Sequence, residues 1–113
     1  MSKRLPKLLL EDILDSAEKI IIYTQSLTYT EFIADSKTID AVIRNFEIIG
    51  EASSRLPDEL KEANDKIDWH KMRGLRNRIV HGYFGINYII IWSIIEDYLQ
   101  ELIAQIKELL NNY

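Results

Sequence analysis

WHKMRGLRNRIVHGY, residues Trp69 to Tyr83, holds both histidines of the chain, four of its cations and no acid. Its charge of +4 sits in a chain of net charge −4, which leaves about −8 on the remainder and points to an anionic partner at this segment. At about 100° per residue a helix sorts the stretch into two faces. Trp69, Met72, Leu75, Ile79 and Val80 form a broad apolar arc. His70, Arg73, Gly74, Asn77 and His81 lie roughly opposite, where the glycine leaves room for a backbone or a phosphate to approach. Arg76 breaks the sorting, because it projects into the apolar arc between Met72, Trp69 and Val80. Two readings of it stay open. One is an arginine that snorkels, or pairs with a helix carboxylate such as Glu47 or Glu51. The other is an arginine held to meet a phosphate in a fork of hydrogen bonds.

Within this stretch the order R-x-x-x-x-H-x-Y runs from Arg76 through His81 to Tyr83. The run IDWHKMRGLRNRIVHGYFGIN (Ile67 to Asn87), the upstream IGEASSRLP (Ile49 to Pro57) and the downstream IIIW (Ile89 to Trp92) extend it. Together they resemble the HepT-like ribonuclease toxins of the HEPN superfamily over essentially the whole chain. An arginine and a histidine five apart are a weak signal alone; the flanking Trp69, Gly74, Asn77 and Tyr83 make it stronger. The resemblance implies an RNA-cleaving toxin of a toxin–antitoxin pair, active as a homodimer. Its partner would be a nucleotidyltransferase antitoxin that blocks the toxin by adenylylating the motif tyrosine, which falls at Tyr83.

With 113 residues the chain is expected to be one domain, 1–113, large enough to bury a core and too small for two. Apolar residues at 47% and charged residues at 28% suit an ordinary globular protein. The absence of cysteine excludes disulfides and thiolate metal sites, and two histidines argue against a zinc site. No metal or other cofactor is expected. The apolar run Leu8 to Leu10 is too short for a signal sequence and is followed by Glu11 and Asp12. The apolar window Tyr88 to Ile95 falls well short of the roughly 20 residues of a membrane span. A cytoplasmic protein without a membrane role is expected.

Helical periodicity organises the rest. Leu9, Ile13, Ala17, Ile20 and Ile21 make one stripe of a helix from Pro6 to about Gln25, with proline suited to the first turn. A short helix is expected between Ser26 and Asp35. A long one follows from Ser36 to about Leu56, capped by Asp35 or Ser36 and carrying Ile39, Val42, Ile43, Phe46 and Ile49 inward. Glu47 and Glu51 on it read mainly as a solvated edge paired with Arg44 and Arg55. After a polar helical turn from Pro57 to Asn64, Asp68 caps the central helix. Gly82 and Gly85 stop that helix, which sets His81 and Tyr83 at its end. A last helix is read as continuous from Asn87 to about Asn111, more apolar near its start than one neighbour covers. The architecture expected is an all-α antiparallel bundle of four long helices and one or two short ones.

RNA brings its own nucleophile, the ribose 2′-hydroxyl, so its cleavage needs proton transfer and stabilisation of a crowded phosphate. His81 titrates near neutrality and can move the protons. Arg76 stays charged and can hold the non-bridging oxygens. These are the candidate catalytic residues. Asn77 is a supporting residue, and Lys71, Arg73 and Arg78 are candidate phosphate contacts. Positions 76 and 81 lie about 140° apart on an ideal helix. Either the helix loosens at His81, or the arginine reaches round, or two copies share a site. The competing function class is a non-catalytic helical module that is the partner or substrate of a nucleotidyltransferase. A nucleic-acid-binding helical protein without chemistry fits the acidic overall charge less well.

Overall fold

The computed structural model describes residues 4–81 and 87–113, with the side chains of 78–81 outside the description. Among the described residues there are seven α-helices and no strand, and the helices form a single bundle. Helix α1 spans Pro6–Thr24, α2 Tyr29–Ile33, α3 Ser36–Arg55, α4 Asp58–Ala63, α5 Trp69–His81, α6 Tyr88–Asp97 and α7 Leu99–Leu110. The all-α bundle and both short helices, α2 and α4, agree with the periodicity.

Local chemistry accounts for most of the boundaries. The chain enters α1 through Leu5 at φ −61°, ψ 144°, and leaves α3 through Leu56 at φ −65°, ψ 144°. Each precedes a proline, whose ring pushes the preceding residue out of the helical region. Thr28 and Glu31 form a reciprocal capping box at α2, with bonds of 3.2 and 2.9 Å. Asp35 caps α3 by accepting from the Thr38 amide at 3.2 Å and its hydroxyl at 2.7 Å, which lowers the Asp35 pKa. Asp68 caps α5 by accepting from the Lys71 amide at 2.9 Å.

Helix α3 is the hub, packed against α1, α2 and α5, while α1 also packs on α7. Its inward face carries Ile39, Val42, Phe46, Ile49 and Ala52, and meets Leu10, Ile13, Ala17 and Ile20 of α1 in one core. Fully burying such a large apolar side chain is worth about 1.5–3 kcal/mol, so this seam supplies much of the stability that positions α5. On its other side the core closes with Met72 and Leu75 of α5 and Ile91, Ile95, Leu99, Leu102 and Ile106 of α6 and α7. Phe32 of α2 stacks on Trp92 with ring centroids 5.1 Å apart, and Tyr29 meets the same ring edge-on at 6.1 Å. The short α2 thus pins α6.

The last helix is not continuous. It breaks at Tyr98, whose φ of −125° departs from helical geometry. The hydrogen-bond ladder bridges the break, since the Tyr98 amide donates to Ile94 and its carbonyl accepts from Leu102, both at 3.0 Å. The result is a local break between α6 and α7. Burial pushes the Tyr98 phenol up to about 12, and its hydroxyl has no hydrogen-bond partner among the described residues. At the start of α6, Tyr88, Ile89 and Ile90 are exposed, the apolar surplus expected there. No described helix is long and apolar enough to cross a membrane.

Candidate functional site

The site is built where α5 crosses α3. Gly50 lies buried on α3 and lets α5 come close. A Cβ at position 50 would collide with the Cβ of Arg76 and stand 2.9 Å from its Cγ and 3.1 Å from the Met72 carbonyl oxygen. The Arg76 stem therefore rests on a surface with no side chain. Nearby, the Ser53 hydroxyl lies 3.3 Å from the Met72 sulfur and further locks the crossing.

Gly50→Ala should accordingly destabilise the protein even though alanine is the better helix former. The helix-propensity gain is about 1 kcal/mol. It opposes an overpacking cost of about 1–3 kcal/mol, here at the high end because the atoms met lie on or beside backbone and cannot swing away. Thermal melting should show a midpoint lowered by several degrees; a raised midpoint would mean the crossing has slack.

The side chain of Arg76 is about one-third exposed, and its Nη2 lies 2.9 Å from Oε2 of Glu51. The other carboxylate oxygen of Glu51 accepts from Arg55 Nε at 3.2 Å and lies 3.2 Å from its Nη2. Both readings of Glu51 thus hold at once: it pairs along α3 with Arg55 and faces the basic segment through Arg76. Arg44 and Glu47 pair more loosely at 3.9 Å. Just before α1, Arg4 clasps Asp12 with bonds of 2.7 and 2.9 Å. These residues line an open groove of about 400 Å³ beside Arg76. In the sequence Glu47 and Glu51 read mainly as a charged edge with Arg44 and Arg55, and also as candidate partners of Arg76. Their spacing, Arg44, Glu47, Glu51 and Arg55, marks one helix face, but nothing in it says that Arg76 lies alongside.

Other candidates fall on a different side of α5. His70, Arg73 and Asn77 are exposed, and a Cβ on Gly74 would meet nothing within 4 Å, so that face is open. Lys71 sits with its ammonium 4.5 Å from the centre of the Tyr98 ring, within cation–π range. Trp69 is half-buried and donates from Nε1 to the Asn64 carbonyl at 3.0 Å, which anchors the start of the helix. Helix α5 runs to His81, and positions 76 and 81 lie about 140° apart on an ideal helix. The side chains of Arg78 and His81, and the whole of Tyr83, lie outside the described residues. Among the described residues no three histidine, aspartate or glutamate side chains gather as metal ligands.

Comparison with known proteins places this arrangement in context. A family model described as "Ribonuclease HepT-like" matches residues 13–109. A protein of Methanocaldococcus jannaschii is 39% identical over 112 residues, covering 99% of this chain and 93% of its own length. A second from the same organism is 41% identical over 107 residues, at 95% and 98% coverage. A protein of Thermococcus cleftensis is 36% identical over 107 residues, at 95% and 97%. All three bear names that provisionally designate an RNase, the last a ribonuclease HepT. No solved structure matches the chain.

Proposed function

The chain belongs to the HepT-like ribonuclease family and is an endoribonuclease, and from that premise we propose that Arg76 and His81 are its catalytic pair, acting without a metal. The observation that carries this is the holding of Arg76: its stem lies against Gly50 and its guanidinium is tethered by Glu51. An arginine fixed in this way matches developing phosphate charge without reorganising. In the reaction the 2′-oxygen of the substrate forms a bond to phosphorus while the bond to the 5′-oxygen breaks. One proton leaves the 2′-hydroxyl and one reaches the departing 5′-oxygen. His81 imidazole handles these transfers, and Arg76 holds the non-bridging oxygens. Asn77, Arg73, Lys71 and Arg78 support RNA binding on the neighbouring faces of α5.

The active unit in this reading is a homodimer in which the two α5 helices approach and one chain's Arg76 serves the other's His81. Support comes from the separation of about 140° that an ideal helix gives positions 76 and 81, in a helix that runs to His81, and from the exposed Tyr88, Ile89 and Ile90 at the start of α6. The protein acts in the cytoplasm as the toxin of a toxin–antitoxin pair. A nucleotidyltransferase antitoxin inhibits it by adenylylating Tyr83, adding charge and bulk where RNA enters. Light scattering should return the mass of two chains at micromolar concentration, and the same sample should cleave RNA in excess chelator. A fully active monomer removes the shared site. Cleavage that stops with chelator and returns with a divalent ion removes the metal-independent mechanism.

A further inference from the structure

We propose that Glu51 is a positioning residue for Arg76, fixing the direction in which the guanidinium meets the scissile phosphate. This rests on the reading of Arg76 as catalytic. Glu51 divides its carboxylate between two arginines: Oε2 takes Arg76 Nη2 at 2.9 Å, and Oε1 takes Arg55 Nε at 3.2 Å. Arg55 sits one turn along α3 and holds one oxygen of the carboxylate whose other oxygen meets α5. Gly50, the adjacent residue, sets where the Arg76 stem can lie. An arginine fork has five N–H donors. With Nη2 drawn to Glu51, the tether sets the direction of the remaining donors, Nε and Nη1.

A role in stability alone fits poorly. The side chains of Arg76 and Glu51 are 35% and 41% exposed, and ion pairs that open to water contribute about 0–1 kcal/mol. A role in charge alone would have the wrong sign, because a carboxylate beside Arg76 weakens the positive field that a phosphate feels. What remains is orientation, which an ion pair on one carboxylate oxygen and a hydrogen bond on the other supply. Misplacing a group by about 1 Å can cost roughly 100-fold in rate.

The test compares Glu51→Ala, Glu51→Gln and Arg76→Ala in the full-length protein, with single-turnover cleavage of one RNA, KM and thermal melting measured on each. Glu51→Ala should lower kcat by about 10- to 100-fold, with KM and the melting midpoint little changed. Glu51→Gln keeps an acceptor of the same reach and should recover part of the rate. The inference is overturned if Glu51→Ala cleaves as fast as the parent or faster while Arg76→Ala is dead. It is overturned equally if only KM rises, since that marks a binding contact. Should Glu51→Ala fold poorly, the glutamine variant decides by the same criteria. An active Arg76→Ala instead removes the catalytic reading of Arg76, and the inference with it.

Discussion

RNA whose 2′-hydroxyl is replaced by hydrogen at the cleaved position should survive this enzyme intact. In the proposed reaction that hydroxyl is the attacking group, so its removal takes away the bond-forming atom and not merely a contact. The phosphates that Lys71, Arg73 and Arg78 would attract are unchanged, so binding should persist. The substituted RNA should therefore compete with normal substrate while yielding no fragments, a loss limited only by assay background. Gel analysis of this oligonucleotide mixed with a distinguishable all-ribose one makes the comparison internal, since cutting of the latter reports that the enzyme is active. Fragments from the substituted linkage would mean that an external nucleophile is used, and attack by the 2′-hydroxyl would fall.

His81→Ala and Arg76→Ala should each leave folded protein that no longer cleaves. Loss of a positioned proton-transfer group costs about 10²–10⁴-fold. Loss of a preorganised donor to developing negative charge costs about 10²–10³-fold. Neither should unfold the bundle, because His81 ends its helix and the Arg76 pair is open to water on both sides. Mixing the two dead variants then probes the shared site. If one chain's arginine serves the other's histidine, each mixed dimer holds one intact site and one doubly broken site. Random exchange in a symmetric dimer should restore about a quarter of the parental activity. If each chain builds its own site, mixing restores nothing. Cleavage by His81→Ala at the parental rate would leave the chain without this motif chemistry, and a nucleotidyltransferase-binding role would replace it.

The helices were legible because their signals are local. Asp35, Asp68 and the residues before Pro6 and Pro57 act within a turn of themselves, and the caps form as the sequence implies. The break at Tyr98 was not legible. Ile95, Leu99 and Leu102 keep an apolar stripe running through it, and periodicity is blind to a change in one φ angle when both flanking segments bury the same face. At the site, Arg76 was marked by its misfit on the helical wheel, yet its partner was ambiguous between Glu47 and Glu51. That ambiguity is resolved by the register between α3 and α5, which is tertiary and has no local signature. Glu51 satisfies both expectations because a carboxylate has two oxygens and the groups it serves lie on different helices. Gly50 passed unremarked inside a helical run, since its role depends on what lies opposite.

The crossing at Gly50 also governs how the protein can vary. A hydrogen in place of a side chain fixes the gauge between α3 and α5, and the neighbouring residue on α3 carries the tether for Arg76. Sequence drift that thickens α3 at this point would move the arginine and loosen its tether in one step, with no reacting atom altered. Helix α3, which supplies neither member of the proposed catalytic pair, is therefore the one with least freedom to change there, whereas α4 fully buries none of its side chains and meets the core through Leu60.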